Sequence, residues 1–274
     1  MSRRLQDYML ASAKSGREVV QAGPFTVTIT EHDPNVYLNY AVPAPGADPA
    51  PADVEALISA FTSRGRTPRL EYLPGLAPAV EPVLLAAGFT VADRLPLMEC
   101  GPDTATEQPV PAGFELVTPT TDEEIEAMLA AQHEAFGEAP PTAAHVTATR
   151  AKAASGQIQL LARETATGET AGGGIAVAVR DGISEVAGIA VRPRYERRGL
   201  GATLTSHLTG AAFAAGATLA FLTPAGEPQE RVYGRVGYRR AGEVLFLSYS
   251  AARGVALRRE RRRTPPREAS HSAA

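Results

Sequence analysis

A short glycine turn behind an apolar segment carries the clearest chemical signal in this 274-residue sequence. The apolar segment ends at Val191, a basic loop follows, and Gly199-Leu200-Gly201-Ala202 opens a stretch whose leucines recur at helical spacing. The first N–H groups of a helix have no partner within the helix, and the helix dipole makes that end positive. Gly199 and Gly201 let an anion approach the backbone, and Arg197 and Arg198 add forked donors that suit phosphate. We interpret the turn as a pyrophosphate site, with an ordinary strand-to-helix turn as the alternative.

Two familiar phosphate-binding motifs do not fit this turn. A P-loop requires GxxxxGK[ST], and the turn contains no lysine. A dinucleotide fingerprint requires GxGxxG, and Leu204 stands where the third glycine would be. The turn therefore matches neither of these motifs.

The residues around the turn resemble motif A of the GNAT N-acetyltransferases, whose signature is [QR]-x-x-G-x-[GA]. Gly199 and Gly201 match it, and Glu196 occupies its first position. A second segment, Tyr233 to Tyr238, resembles the Tyr-x-x-x-Gly-[Phe/Tyr] motif of the same family, although Gly226 stands where the family often has Asn. Both motifs occur in the family's order and spacing, and the resemblance covers about residues 113–250.

The resemblance implies acetyl-CoA as co-substrate and assigns roles to particular residues. Tyr233 would donate a proton to the departing thiolate, and a core tyrosine is the alternative. Glu185, 14 residues before Gly199, has a spacing similar to that of the glutamate base in the histone-acetyltransferase branch; a sheet-face glutamate is the alternative. The main chain of the strand would bind the pantetheine arm and the thioester oxygen. The expected cofactor-binding residues are Ile189, Ala190, Val191, Arg197, Arg198, Gly199, Leu200, Gly201 and Ala202.

The elements that must position these residues fill the second half of the chain. Helices are expected from a capping box at Thr121 to about Ala135, and over 142–154. Strands are expected over 114–117, 157–163, 173–180, 183–191, 218–223 and 243–249, with a tight hairpin at Asp181-Gly182 and a further helix over 227–235. In the resembled family the helix–loop–helix shapes the acceptor pocket, so His133, Glu134 and Glu138 are candidate acceptor contacts or solvated face residues.

The first half repeats the second in degraded form. The order of strand, helix, glycine and aromatic residue at Leu70 to Phe89 parallels that at Ala220 to Tyr238. Leu84 stands where Tyr233 stands in the second half. Prolines, which lack an N–H, and carboxylates replace the phosphate-binding turn: Pro43, Pro45, Pro49, Pro51, Asp48 and Asp53. We therefore expect a non-catalytic GNAT-like domain, with an unrelated α/β domain as the alternative.

The expected architecture is α/β (α+β), with two GNAT-like domains that are each a mixed, mostly antiparallel twisted sheet flanked by helices. The expected limits are 1–100 for the N-terminal domain, 101–112 for a proline-rich linker, 113–252 for the catalytic domain and 253–274 for a disordered, arginine-rich tail. A chain of this length suits two modest cores.

Composition limits the other classes of function. The net charge is -3, with 44% hydrophobic and 21% charged residues, so the overall charge indicates neither a nucleic-acid partner nor attraction to a membrane. Cys100 is the one cysteine, and the N-terminus has no apolar signal-peptide region, so a cytoplasmic protein without a metal site is expected. No apolar run is long enough to cross a membrane. A homodimer is compatible with the sequence.

The function expected from this reading is transfer of an acetyl group from acetyl-CoA to a primary amine whose identity the sequence does not reveal. One alternative is a mycothiol-synthase-like acyltransferase. Another is a non-catalytic CoA-sensing or interaction protein, which Glu196 and Gly226 keep open. A third is nucleic-acid binding through the arginine-rich tail, which would depend strongly on salt.

Overall fold

The computed structural model describes residues 3–31 and 38–250. The helices are α1 (Arg3–Lys14), α2 (Pro51–Thr62), α3 (Val80–Ala86), α4 (Asp122–Phe136), α5 (Ala143–Ala154), α6 (Leu200–Ala214) and α7 (Glu227–Val236). The strands are β1 (Glu18–Ala22), β2 (Phe25–Ile29), β3 (Tyr40–Pro43), β4 (Arg69–Tyr72), β5 (Phe89–Cys100), β6 (Phe114–Val117), β7 (Ile158–Glu164), β8 (Thr170–Ala176), β9 (Ile183–Val191), β10 (Leu219–Leu222) and β11 (Arg239–Tyr249).

The described residues form two compact units. The first takes in the residues up to Arg94 together with those from Glu243 onward, and the second runs from Leu95 to Gly242. Strands β5 and β11 each contribute residues to both units. The domain limits expected from the sequence divide the chain into consecutive segments. The compact units also depend on which strands pair with one another, and strand pairing cannot be seen in the local sequence.

The first unit is built on a mostly antiparallel sheet. β1 pairs with β2 and β2 with β3 in antiparallel fashion, β3 and β4 run parallel, and β4 pairs with the end of β11. Its core packs the inner faces of α2 and α3 against the sheet, with Leu57 and Phe61 from α2 and Phe25 and Tyr72 from the strands. Strand β1 was not predicted from the sequence. It has only five residues, it begins soon after α1, and it is defined by its pairing with β2 across the turn at Gly23.

The second unit places two helices on opposite faces of its sheet. The strand order is β5, β10, β9, β8, β7, β6, and within it the β9–β10 pair is parallel. Successive residues of β8 show the two faces: a Cβ on Gly173 would meet Met128 of α4, whereas one on Gly174 would meet Leu208 of α6. The sheet therefore separates α4 from α6.

Most predicted elements are present with boundary shifts. The strand predicted over 173–180 is β8, which begins and ends earlier, because three consecutive glycines weaken the local strand pattern and pairing with β7 sets its position. Asp181 and Gly182 have φ of 50° and 73°, which confirms the tight hairpin. The sequence also predicts a turn at Asp33-Pro34-Asn35 and a strand from Tyr37 to Val42. That turn, Tyr37 and the arginine-rich tail lie outside the described residues.

The internal repeat is visible as element order. β4, α3 and β5 in the first half correspond to β10, α7 and β11 in the second. The helices α3 and α7 are followed by Gly88 and Gly237, whose φ values are 104° and 105°. The predicted α/β class is confirmed. Among the helices of the described residues, none has the length and apolar character that crossing a bilayer demands.

Candidate active site

The start of α6 presents free backbone donors. Gly199, with φ of 90°, is the N-cap residue, and the first helical bond runs from the Thr203 N–H to the Gly199 carbonyl over 3.1 Å. The N–H groups of Leu200, Gly201 and Ala202 therefore have no acceptor within the helix. Because glycine has no side chain, the N-cap residue cannot satisfy them either. An anion is the natural partner for donors arranged in this way.

Gly201 is not required by the protein's own packing. It lies in regular helix without a positive φ, and a Cβ built on it would meet only Val232 Cγ1, at 4.0 Å. Glycine costs about 1 kcal/mol relative to alanine within a helix. Close approach of a ligand to the backbone is a physical reason to keep it.

The two arginines before the turn have different environments. Arg198 lies over the rings of Tyr195 and Phe114, at 5.2 Å and 5.9 Å from their centroids, and its Nη1 is 4.0 Å from Glu164. Arg197 is exposed, has a φ of 60°, and makes no ion pair or side-chain hydrogen bond within the described part of the chain. A left-handed arginine is uncommon. Because the Arg197 side chain is exposed and makes no such contact, its guanidinium is the one available to a phosphate.

An ionic network fixes the loop between β9 and the turn. Arg192 and Arg194 both pair with Glu134 at the end of α4, and Arg194 also pairs with Glu169. The Tyr195 hydroxyl donates to Glu169 over 2.9 Å. Because these contacts surround the loop, the turn is held at a defined place relative to α4 and β8.

Residues 101–112, expected to be a linker, pack along α6. The Gln108 N–H donates to Ser206 Oγ over 2.8 Å, and the Thr203 hydroxyl donates to the Pro109 carbonyl over 3.0 Å. Thr106 N–H donates to the Val236 carbonyl at the end of α7. These bonds engage the buried hydroxyls of Thr203 and Ser206 on α6 and tie the segment to the end of α7.

The pairing of β9 with β10 stops before this turn, and we call the side of β9 that β10 leaves unpaired the gap. β10 pairs with β9 at Ile183 to Glu185, where Phe221 is opposite Glu185, while the rest of β9 as far as Val191 pairs with β8. Backbone groups on the second half of β9 that point away from β8 therefore face the side on which β10 has ceased to pair. Hydrogen-bonding groups on that side of β9 are therefore not used by β10.

A β-bulge decides which of those groups face the gap. Gly173 is opposite Ala190 but Ile175 is opposite Ala187, so β9 has one extra residue there. The Glu185 carbonyl accepts from β8, and beyond the bulge the Arg192 N–H donates to β8. Since backbone groups alternate in direction along a strand, the groups of Ile189 and Val191 face the gap, whereas those of Ala190 face β8.

Tyr233 lies on the α6 side of the sheet. Its side chain is buried in a cluster that includes Val186, Leu208 and Tyr238, and its ring centroid is 6.4 Å from that of Tyr238. Burial raises the pKa of Tyr233 above its usual value. Because its pKa is raised, the hydroxyl is protonated near neutral pH. It makes no hydrogen bond within the described residues, so its proton is available for donation.

Glu185 lies on the opposite face of the sheet from Tyr233. Val186 points into the α6 cluster, so its neighbour Glu185 points toward the α4 side. Glu185 belongs to the last pair of β9 with β10, opposite Phe221. At about 3.3 Å per residue, the strand separates it from Gly188 by roughly 10 Å. The two predicted catalytic residues thus flank the gap from its two faces rather than contacting each other.

The candidate acceptor contacts cluster at the end of α4. His133 Nδ1 is 2.5 Å from the Ala139 carbonyl, and its Nε2 is 3.8 Å from a carboxylate oxygen of Glu138. The His133 ring also lies 5.3 Å from that of His145. Glu134 is engaged with Arg192 and Arg194, as described above. His133, Glu138 and His145 define a polar surface next to the loop between α4 and α5.

Sequence reasoning missed Gln132, whose Nε2 donates to the Gly188 carbonyl over 2.7 Å. It lies four residues after Met128, on the inward face of α4, and is 8% exposed. A polar residue in an apolar stripe must find a partner when it is buried. That position could have indicated a buried polar contact, although not its partner on β9.

Comparison with protein families gives a match in the second unit. Residues 117–241 match the family model described as an acetyltransferase (GNAT) domain. No protein of curated function matches the chain by sequence.

Solved structures resemble the chain over most of its length. A GCN5-related N-acetyltransferase from Kribbella flavida is 29% identical with a TM-score of 0.76, over 90% of this chain and 95% of that one. Two further structures share the fold at 16% identity. A GCN5-related N-acetyltransferase from Sphaerobacter thermophilus has a TM-score of 0.63, over 82% of this chain and 76% of that one. A tandem GNAT protein from the clavulanic acid biosynthesis pathway has a TM-score of 0.58, over 84% and 81%. Because the matches span both units, the N-terminal half also has a GNAT-like fold.

Proposed function

We propose that this protein, an acyltransferase with a GNAT domain at residues 117–241, transfers the acetyl group of acetyl-CoA to a primary amine. The observation that carries the proposal is the combination of an uncapped α6 N-terminus with a gap along β9. The first suits a pyrophosphate and the second suits the extended arm attached to it. Acyl-CoA molecules contain both parts.

The cofactor would lie along β9 from the turn toward Glu185. Its pyrophosphate would accept from the N–H groups of Leu200, Gly201 and Ala202, with Arg197 supplying positive charge. Its arm would bond with the backbone of Ile189 and Val191, because these are the groups that face the gap. Gly199 supports the turn that starts α6, and Arg198 supports the turn by stacking on aromatic rings.

The transfer step forms a C–N bond and breaks a C–S bond. The amine nitrogen attacks the thioester carbon, the carbonyl oxygen takes negative charge, and the electron pair of the C–S bond leaves with sulfur. Tyr233, kept protonated by burial, would give its proton to the thiolate. The proton that the amine loses would pass to Glu185, through water because of the separation along β9.

The acceptor would approach from the α4 side. Glu185 points to that face, and the polar surface of His133 and Glu138 lies at the end of α4. A carboxylate at this position favours an amine, which is cationic before it loses its proton. The amine can be identified by measuring the consumption of acetyl-CoA in the presence of amino acids, aminoglycosides, polyamines or peptides.

A matched pair of variants on α6 tests the proposed cofactor site. Gly201→Asp would add a side chain and a negative charge beside the pyrophosphate, and we expect calorimetry to show at least 100-fold weaker acetyl-CoA binding. Gly210→Asp on the same helix, where a Cβ meets nothing within 4 Å, should bind as the wild type does. Equal binding by both variants would refute the site.

A further inference from the structure

Gln132 connects α4 to the bulge in β9. Its Nε2 donates to the Gly188 carbonyl over 2.7 Å, and its side chain is almost fully buried. Gly188 has φ of 62°, and a Cβ there would lie 2.9 Å from that nitrogen. The positive φ favours glycine at residue 188, and any other side chain there would have to displace the Gln132 amide.

The bulge that this contact holds has a consequence for the backbone of β9. With a regular strand, the alternation set by the Glu185 carbonyl would turn Ile189 and Val191 toward β8 and Ala190 toward the gap. The extra residue reverses this order. The N–H of Ile189, next to Gly188, is consequently directed toward the side where a thioester would lie.

We propose that Gln132 is a positioning residue for acyl transfer: it holds the bulge at Gly188 and so aims the Ile189 N–H at the thioester carbonyl oxygen. The inference rests on the proposed function. Such a donor acts on the charge that develops on the oxygen in the transition state, and a displaced donor loses most of that effect. Since Gln132 itself touches neither substrate, its loss should lower kcat more than it weakens cofactor binding.

The chain offers a closely matched control in Gln159. This residue is 2% exposed, and its Nε2 also donates across to a backbone carbonyl over 2.7 Å, that of Thr149 on α5. Gln132→Met and Gln159→Met make the same change in shape and remove the same kind of bond. Gln132→Glu also keeps the shape, and when ionised it places a negative charge beside the Gly188 carbonyl.

The first measurement is amide hydrogen exchange over residues 186–191 in the unliganded full-length protein. We expect Gln132→Met to accelerate exchange there at least tenfold and Gln159→Met to leave it unchanged. The second measurement is kinetic. We expect Gln132→Met and Gln132→Glu to lower kcat by about 10- to 100-fold, with at most a threefold change in the dissociation constant of CoA.

A spectroscopic readout separates positioning from general loss of structure. Acetyl-CoA labelled with ¹³C at the carbonyl should show a smaller bound-state chemical-shift change in Gln132→Met than in the wild type or Gln159→Met, because the carbonyl is less polarised. Unchanged exchange over 186–191, or equal losses of kcat in both methionine variants, would overturn the proposal. If the wild type fails to bind acetyl-CoA, the proposed function falls, and the exchange measurement still decides whether Gln132 holds the bulge.

Discussion

Replacing each of the two neighbouring arginines at the turn by alanine should affect a different property of the protein. Arg197 is exposed, adopts φ of 60°, and makes no side-chain contact that would hold it there within the described residues. Arg198 stacks on Tyr195 and Phe114 and approaches Glu164. We expect Arg197→Ala to weaken cofactor binding and Arg198→Ala to weaken the fold.

The magnitudes follow from the type of contact. A hydrogen bond to a charged group contributes about 1.5–3 kcal/mol. Loss of the Arg197 contact should therefore raise the dissociation constant of acetyl-CoA roughly 10- to 150-fold. The exposed cation–π contacts of Arg198 contribute about 0.5–1 kcal/mol to stability, and its exposed approach to Glu164 adds little. Arg198→Ala should lower the melting temperature by a few degrees and change binding less than threefold.

Calorimetric titration of acetyl-CoA at low and high salt, together with thermal unfolding, measures both effects. The loss caused by Arg197→Ala should shrink as salt rises, because an exposed contact with phosphate is screened. Equal losses of affinity in the two variants would refute the distinction between them. A larger loss in Arg198→Ala would show that Arg198 leaves its aromatic neighbours to bind the cofactor.

Further outcomes are expected for the catalytic pair and for the first unit. Tyr233→Phe should lower kcat about 100-fold at unchanged affinity for acetyl-CoA, whereas unchanged turnover would make Tyr233 a core residue. Glu185→Gln should flatten the rise of rate with pH for one acceptor, and an identical profile would exclude Glu185 as the base. Burial raises the pKa of Glu71 to about 7, against the influence of Arg69 and Arg17. The folded state then holds a proton that the unfolded state releases above about pH 4.5, so stability should fall by about 3 kcal/mol between pH 4.5 and 7 and level off above that. Denaturant unfolding should show this loss abolished in Glu71→Gln but kept in the exposed control Glu55→Gln.

Local sequence patterns were enough to predict most elements and the turn, because glycines, caps and apolar spacing are local signals. Thr121 and Glu124 form the predicted capping box, and Asp181-Gly182 forms the predicted hairpin. The difference between Arg197 and Arg198 was not predictable, since it depends on Phe114, which is distant in sequence. The bulge was also missed, because an extra residue in β9 is defined only by its register with β8.

The same type of element has opposite electrostatics in the two units. In chain order, α2 lies between β3 and β4 of the first unit, as α6 lies between β9 and β10 of the second. Its N-terminus carries Pro51, which has no N–H, and Asp53, whose carboxylate accepts from the Ala50 N–H over 2.8 Å. Asp53 also lies where a Cβ on Gly23 would collide with it, so the carboxylate is held against the turn.

A carboxylate at a helix N-terminus supplies the negative charge next to the positive end of the dipole that a phosphate would otherwise supply. The first unit thus stabilises its own helix at the position where the second unit leaves three N–H groups and Arg197 for a ligand. Stability and binding compete for the same end of the helix, and a helix start that already carries its own carboxylate gains little from a phosphate. On this reasoning the chain should bind one acetyl-CoA, in the second unit, and a calorimetric stoichiometry of two would show that Asp53 yields its place to a phosphate.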